Sequence, residues 1–381
     1  MAAGTTVAVR SPADTGGAAA PGYGQDELRR DTDAIQALGV TGVQARVTTG
    51  SGQDLVAASG VAEVGTDRPV PRDGYFRMAS TGKALVATVV LQLVDEGGPA
   101  LDDTVDHWLP GLVDGNGNDG RRITVRQLLQ HTSGLPDDLP GFATPQEYEE
   151  RRYDAYTPRQ IVARAMEHPG FPARRRVGLL QHRLRPARHG HRRGRGPPLA
   201  PGGRAPDPGT ARHGPHLPAG RRPGLRSPHA NAYRVFPSGE RVDVTEVIVA
   251  DSGGYVSTTA DVNRFFQALL GGELLPRERL AEMRDTVPVD EEMQVFWPDG
   301  RYGLGLVNRP LSCGGGYWSH EGGESGYITL NGATGDGGRA VTVSMSTALG
   351  DSPENMLRQE QAASDLVDRA LCDTPGGGRD T

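Results

Sequence analysis

Lysine is almost missing from this chain: Lys83 is the only lysine among 381 residues, and arginine supplies the other 40 basic residues. Cysteine is nearly as scarce, because Cys313 and Cys372 are the only two. Two cysteines are too few for a cysteine-based zinc site, and we expect no metal site and no cofactor. From residue types alone, these cysteines could be two free buried thiols or a bonded pair.

Long apolar segments are also absent. No run of 18 apolar residues occurs, so we expect no membrane span. Residues 1–24 lack the basic start and the apolar stretch of a signal peptide, and we interpret them as a disordered leader. A chain of this length fits either one large two-lobed domain or two domains.

Charge is distributed unevenly along the chain. Residues 173–224 hold 13 arginines and one acidic residue, Asp207, whereas the remainder holds 28 basic against 46 acidic residues. The formal net charge of −6 therefore averages a basic stretch with a strongly acidic remainder. This balance argues against a nucleic-acid partner, although the basic stretch by itself would suggest an arm for nucleic acid or acidic polymers.

Hydrophobic periodicity predicts an α+β fold. Helical spacing occurs in residues 25–38, in the middle of the chain and in residues 353–371, whereas period-two alternation occurs near both ends. The alternating segments are 42–50, 54–65, 324–335 and 338–347. We therefore predict one antiparallel sheet of the five-stranded type, built from both chain ends, flanked by helices and interrupted by a mainly helical lobe.

These elements predict a single catalytic domain over residues 25–372. Its sheet lobe would comprise residues 25–100 and 300–372, and its helical lobe residues 101–299. Residues 373–381 would form a tail.

The lone lysine follows a serine at helical spacing. Residues 80–98 read STGKALVATVVLQLVDEGG, which predicts a buried helix ending at a glycine pair. Ser80 and Lys83 would project from the same face of its first turn. A lysine near a helix N-terminus can lose its proton and activate a serine, whereas arginine stays protonated. The alternative is a serine N-cap followed by a solvent-facing lysine.

Several longer segments carry a resemblance to a known family. They read LQLVDEGGPALDDTVDHWLPGL, ITVRQLLQHTSGLPD, GGYVSTTADVNRFFQALLGGELL, YGLGL and HEGGESGY, in this order. Together with STGK they resemble the serine β-lactamase and penicillin-binding superfamily, especially the actinobacterial D-alanyl-D-alanine carboxypeptidases and the class C β-lactamases. The resemblance covers about residues 25–372 and implies the α/β sandwich of that superfamily.

The resemblance implies acyl transfer through an ester on a serine. Ser80 would be the nucleophile and Lys83 its base. His320, which begins the third motif of the family, would be a further catalytic residue, whereas taken alone it would be interpreted as a structural histidine. The substrate-binding and oxyanion residues would be Ser80, Glu321, Gly322 and Gly323, with the backbone N–H groups of Ser80 and Gly323 forming the oxyanion hole. LSCGGGYWSH resembles the family segment whose cysteine pairs with one near the C-terminus, which implies a disulfide between Cys313 and Cys372.

Two departures from the family pattern concern the substrate. Val307 follows YGLGL, where carboxypeptidases tend to carry an arginine that holds the substrate carboxylate. Glu321 replaces the threonine of H-T-G, which would place a negative charge where a free carboxylate lies. Esterases and D-amino-acid amidases of the superfamily are therefore alternatives to a carboxypeptidase.

The second family motif, Tyr-x-Asn, is missing where it should follow residue 171. The basic stretch over 173–224 stands there, and its composition predicts disorder. A permitted set of codons for residues 173–192, shifted by one base, encodes PGGGWAYSNTDYVLLGMVI, which contains Tyr-Ser-Asn. Family-like sequence returns at LRSPHANAYRVF. We interpret the stretch as a compensated frameshift in the gene or in its sequencing.

We therefore predict a serine hydrolase resembling a D-alanyl-D-alanine carboxypeptidase. The alternatives are an esterase or class C β-lactamase-like hydrolase, or a crippled penicillin-binding-like protein that lacks Tyr-x-Asn. The expected partner is a D-alanyl peptide, β-lactam or ester, and the expected state is a monomer. Since the family and the implied disulfide fit an oxidising compartment, we expect a secreted protein whose export signal lies outside this sequence.

Overall fold

The computed structural model describes residues 22–171, 217–218, 223–248 and 255–372. The described residues form ten α-helices, named α1 to α10 in chain order: Gln25–Ala37, Gly82–Asp95, Val105–Trp108, Val125–Leu129, Pro145–Arg151, Pro158–Met166, Thr259–Leu270, Arg277–Met283, Glu291–Gln294 and Pro353–Cys372. Two short 3₁₀ helices cover Ala79–Thr81 and Gly120–Arg122.

The same ranges contain seventeen strands, named β1 to β17 in chain order: Gly42–Thr48, Asp54–Gly60, Phe76–Arg77, Asp114–Gly115, Asn118–Asp119, Leu217–Pro218, Tyr233–Val235, Arg241–Asp243, Tyr255–Ser257, Val287–Pro288, Arg301–Tyr302, Val307–Pro310, Gly316–Ser319, Gly322–Glu324, Tyr327–Thr334, Ala340–Met345 and Thr347–Leu349.

The main sheet joins both ends of the chain. Its order is β10-β11-β12-β13-β15-β16-β1-β2, with β14 paired to β15, and its pairings are antiparallel. Val43 of β1 lies opposite Met345 of β16. The predicted α+β fold is confirmed, but the sheet has nine strands rather than five, because β10, β11 and β12 extend one edge and β14 also pairs with β15.

Two apolar layers cover the sheet. On one face, α1 and α10 bury Leu28, Ile35 and Leu366 against the strands. On the other face, α2 and α7 contribute Leu91 and Phe266 to a second buried cluster. Because each fully buried side chain of this size contributes about 1.5–3 kcal/mol, these two layers hold the sheet between the helices.

The alternation within β16 shows how one strand serves both layers. Val341 and Val343 pack with the α1 and α10 residues. Thr342, between them, points to the other face and donates its hydroxyl proton to Asn263 of α7 at 2.7 Å. The period of two, which predicted this strand, therefore also explains its contacts.

Most predicted helices and strands lie within a few residues of their expected positions, including the terminal helices α1 and α10. The helix after Ser80 is α2, and the predicted burial applies to only part of its surface. Val86, Val89 and Leu93 are exposed on one side of it. No helix in the described ranges is both long and apolar enough to span a membrane.

Three predicted segments lie wholly or largely outside the described residues. They are the leader up to residue 21, most of the basic stretch and the tail from residue 373. Within the basic stretch, strand Leu217–Pro218 pairs with Tyr255–Ser257. The other predictions for residues 173–224, which are their disorder and the absence of the Tyr-x-Asn motif there, concern residues outside the described ranges. The division into two lobes stays a prediction.

Candidate active site

The candidate nucleophile lies on a strained turn. Strand β3 pairs with β9, and the Met78 amide donates to the carbonyl oxygen of Tyr255 at 2.9 Å. Ala79 follows with a φ of 50°, in the left-handed region that non-glycine residues rarely occupy. Such strain costs about 1–3 kcal/mol and is typical of functional sites. The turn leads through Ser80 into α2.

Ser80 and Lys83 are in direct contact. The Lys83 Nζ donates a hydrogen bond to the Ser80 Oγ at 2.6 Å, and both side chains are partly exposed. Gly82 between them is required, because a Cβ there would collide with the ring of Tyr255. A neutral lysine at this distance could accept the serine proton, so the pair can generate an alkoxide nucleophile.

Strand β14 runs directly over this turn. A Cβ on Gly322 would collide with the Met78 carbonyl oxygen and lie 3.0 Å from the backbone nitrogen of Ser80. Only glycine permits this approach, so the structure brings the predicted residues Gly322 and Ser80 together. Gly323 follows, exposed and opposite Ile328 in the ladder. Its role in an oxyanion hole stays a prediction.

His320 is held by hydrogen bonds at every polar atom. Its backbone N–H donates to Asn331 Oδ1 at 3.1 Å, and its carbonyl accepts from Asn331 Nδ2 at 2.7 Å. Its Nδ1 lies 2.9 Å from the Glu321 carbonyl oxygen, and its Nε2 lies 2.9 Å from the Tyr302 hydroxyl. Because a carbonyl only accepts, Nδ1 carries the proton and Nε2 accepts from Tyr302.

The surroundings of His320 keep it neutral. Burial is the main cause that lowers the pKa of His320 to about 3. Burial likewise lowers the pKa of His131 to about 3. The ring of His131 meets Tyr302 edge-on at 5.1 Å, and its φ is 56°. A group with so low a pKa is a weak base at neutral pH. The role of Lys83 as the base stays a prediction, and Lys83 is in contact with Ser80.

The position of Glu321 corrects a sequence-based expectation. Arg309 Nη1 donates to Glu321 Oε1 at 2.7 Å, and Trp297 Nε1 donates to Glu321 Oε2 at 2.7 Å. Glu321 is 8% exposed, and the arginine neutralises its charge. Glu321 therefore does not present a free negative charge to the substrate, and that expectation is wrong.

The strand that carries Val307 explains this pairing. Val307 is fully buried in β12, and Arg309 lies two residues further along the same strand. Arg309 also donates to the Ser364 hydroxyl of α10 at 3.4 Å. The arginine of this strand thus fixes Glu321 and α10 in place.

The predicted cysteine pair is confirmed. Cys313 and Cys372 form a disulfide with a Cα–Cα distance of 5.7 Å. It joins the end of α10 to the turn between β12 and β13. Asp368 of α10 accepts a hydrogen bond from the Ser312 amide at 2.8 Å and supports the same junction.

A serine is hydrogen-bonded to a lysine at the start of a helix, and this pair lies beneath the edge of an antiparallel sheet. This arrangement defines the class of serine hydrolases that includes the β-lactamases and penicillin-binding proteins. Residues 28–365 match the family model described as Beta-lactamase. The chain therefore belongs to the β-lactamase family of serine hydrolases.

Individual relatives extend this finding. The chain is 42% identical over 82 residues to penicillin-binding protein 4 of Amycolatopsis lactamdurans, covering 22% of each chain. It is 44% identical over 82 residues to the esterase EstB of Burkholderia gladioli, covering 20% of each. The chain thus matches about a fifth of the length of these curated relatives.

A solved structure is matched over almost its whole length. The D-stereospecific amidohydrolase from Streptomyces sp. is 29% identical, with a TM-score of 0.70 over 89% of this chain and 98% of that chain.

Proposed function

We propose that the chain hydrolyses amides, esters or peptides of D-configured acyl groups through an ester on Ser80. The contact of 2.6 Å between Lys83 Nζ and Ser80 Oγ carries this proposal. Neutral Lys83 takes the proton of Ser80 while the oxygen attacks the acyl carbon. The carbonyl electrons move onto its oxygen, which the N–H groups of Ser80 and Gly323 stabilise.

The tetrahedral intermediate then collapses. The bond to the leaving nitrogen or oxygen breaks, and the leaving group takes up the proton that Lys83 accepted. A water molecule then attacks the carbonyl carbon of the resulting ester. Lys83 takes a proton from this water and passes it to the Ser80 oxygen as that oxygen leaves, and the acid is released. His320, with both ring nitrogens bonded, serves in this proposal to position the strand rather than to transfer protons.

The charges of the site favour amides and esters over peptides with a free C-terminal carboxylate. Val307 replaces the arginine that the carboxypeptidase resemblance leads one to expect, and Arg309 is bound to Glu321. The match to the D-stereospecific amidohydrolase supports a D-configured acyl group. A D-alanyl-D-alanine carboxypeptidase remains the second candidate, because LSCGGGYWSH and the disulfide resemble that branch.

The test is covalent labelling followed by turnover. The chain is incubated with a fluorophosphonate and with penicillin, and mass spectrometry locates the adduct. We expect it on Ser80 and expect none on the variant Ser80→Ala. Hydrolysis of a D-amino-acid amide, a p-nitrophenyl ester, a D-Ala-D-Ala peptide and nitrocefin is then compared. An adduct on another residue, or none, contradicts the proposal.

A further inference from the structure

The helix that carries the nucleophile has an exposed apolar face. Val86, Val89 and Leu93 of α2 are 44%, 49% and 36% exposed. At about 100° per residue these side chains form one stripe, opposite the fully buried Ala84 and Leu91. We call the three exposed residues the α2 stripe. A helix with apolar residues on both faces is normally buried on both, so the α2 stripe is a surface that another apolar element would cover.

The chain outside the described residues supplies the candidates for this cover. Five segments lie outside the described ranges: 1–21, 172–216, 219–222, 249–254 and 373–381. The two terminal segments join the structure on the other face of the sheet, where Tyr23 packs with the α1 and α10 layer and Cys372 ends α10. Two internal segments have only four and six residues, which leaves the 45 residues of 172–216.

One end of this segment returns beside the start of α2. Strand Leu217–Pro218 pairs with β9. The β9 residue Tyr255 lies against α2, because a Cβ on Gly82 would collide with its ring. The segment therefore re-enters the described structure next to the first turn of the helix.

The other end leaves from a loop close to the same turn. The Phe171 amide donates to the carbonyl oxygen of Gly134 at 2.7 Å, in the loop after α4. The Leu129 carbonyl of α4 accepts from the Gly305 amide at 2.9 Å, and a Cβ on Gly305 would lie 2.9 Å from the Lys83 carbonyl oxygen. Both ends of segment 172–216 thus lie on the α2 side of the sheet.

The present and the frame-shifted sequences of this segment differ in what they could cover. Residues 173–192 include seven arginines and three histidines, and burying unpaired charge is costly. The frame-shifted PGGGWAYSNTDYVLLGMVI ends in the apolar run YVLLGMVI, preceded by Asn, Thr and Asp, which favour a helix N-cap. Eight helical residues span about 12 Å, the same length as residues 86–93 of α2.

We propose that the α2 stripe is the docking surface of the apolar helix that the shifted frame encodes, with YVLLGMVI packed along Val86, Val89 and Leu93. In the present chain these three residues are exposed. The inference rests on the frameshift interpretation and not on the proposed acylation of Ser80. Its test uses no substrate, so a failure of either proposal leaves the other standing.

The test compares the present chain with a restored chain, in which PGGGWAYSNTDYVLLGMVI replaces residues 173–192. Val86→Gln, Val89→Gln and Leu93→Gln are made together in each chain. In the present chain the triple variant should melt within about 2 °C of its parent, because substitutions of exposed residues are usually close to neutral. In the restored chain it should melt at least about 5 °C lower, because three amides replace apolar groups in a covered surface. Equal shifts in the two chains overturn the inference.

Val295→Gln is the matched control, since Val295 is 57% exposed and lies at the end of α9, away from α2 in the chain. It should shift the melting temperature of both chains equally. Leu109→Gln examines another seat for the helix, because Leu109 is 50% exposed and lines an apolar cavity of about 260 Å³ formed by residues of α3, α4 and α6. If Leu109→Gln destabilises only the restored chain and the triple variant does not, the helix docks in that cavity and the inference is wrong.

Hydrogen exchange gives a second measurement that needs no variant. The amides of residues 86–93 should exchange at least about tenfold more slowly in the restored chain, because a covered helix opens less often. Unchanged exchange there contradicts the inference, and so does a restored chain that melts below the present one, since covering apolar surface stabilises a fold. Analytical ultracentrifugation tests a second copy as the occupant: a dimer of the restored chain that the triple variant dissociates overturns the inference.

Discussion

Two regions around the nucleophile contain similar residue types with different hydrogen-bond partners. We call the region of His320 and Glu321 the region behind the nucleophile, and the region of Ser80, Lys83 and Glu324 the front region. Behind it, His320 and Glu321 have each side-chain nitrogen or oxygen bonded to a protein partner. In front, Ser80 and Lys83 contact each other at a partly exposed position, and Glu324 faces a cavity. The comparison teaches that two carboxylates three residues apart differ by their partners: Glu321 accepts hydrogen bonds from Arg309 and Trp297, whereas within the described ranges Glu324 accepts one long hydrogen bond from Ser325.

The largest effect should come from the front region. Lys83→Arg keeps a long basic side chain but removes the base, because arginine does not lose its proton. We expect the acylation rate of Ser80 to fall about 10²- to 10⁴-fold, the usual contribution of a general base. Stopped-flow labelling measures the rate, and an unchanged melting temperature is the control. A variant that acylates normally would exclude Lys83 as the base.

The missing Tyr-x-Asn motif concerns the same proposed reaction. Replacing residues 173–192 by the frame-shifted sequence with Tyr-Ser-Asn should raise turnover about 10²- to 10⁴-fold, because the motif would supply a further acid–base group. Steady-state hydrolysis of the best substrate measures this. Sequencing the DNA across codons 172–225 tests the frameshift itself. A confirmed frame together with equal turnover of both proteins would refute both the frameshift and the role of the tyrosine.

Changes behind the nucleophile should alter stability rather than substrate choice. Arg309→Met leaves Glu321 buried without its cation, and we expect a loss of about 3–5 kcal/mol in the free energy of unfolding. Urea denaturation measures it. The double variant Arg309→Met/Glu321→Met should recover part of the loss, since no unpaired charge remains. Preferential damage to amide over ester hydrolysis would place Arg309 in substrate binding instead.

Glu321→Thr, which restores the family threonine, tests the same ion pair by changing Glu321 instead of Arg309. It should not favour substrates with a free carboxylate, because the charge of Glu321 is already paired with Arg309.

The smallest effect concerns pH. The pKa of His320 is about 3 in the folded chain against an ordinary value of 6.5, so the unfolded chain binds more protons between these values. This contribution to stability is complete above pH 6.5 and is lost as pH falls toward 3, at up to about 1.4 kcal/mol per pH unit. His131 acts in the same direction. Urea unfolding at pH 7 and pH 5 should show a smaller pH effect in His320→Gln, and an equal effect would contradict the neutral state of His320.

Sequence reasoning succeeded where local geometry determines the contact. The Ser80–Lys83 pair follows from a spacing of three residues on one helix, and the alternating segments at both ends form the sheet. The cysteine pairing came from the family resemblance. The partners of Glu321 could not be foreseen, because Arg309 comes from another strand.

The motif YGLGL, which contains Tyr302, was recognised in the sequence. The hydrogen bond between the Tyr302 hydroxyl and His320 was not predicted. Strand pairing and side-chain direction decide such contacts, and neither is visible in a motif. The second acidic residue in HEGGESGY, Glu324, had the same sequence signal as any surface glutamate.

The pairing of β1 with β16 has a consequence for folding during synthesis on the ribosome. Val43 and Met345 are neighbours in the sheet, yet about 300 residues separate them in the chain. At a synthesis rate of roughly 5–20 residues per second, β1 waits about 15–60 s for its partner. During that time β2 is the strand of the main sheet that is available to pair with β1. A ribosome that stops before β16 therefore releases a chain without a closed core, whereas an error in the middle of the gene leaves both halves of the sheet encoded.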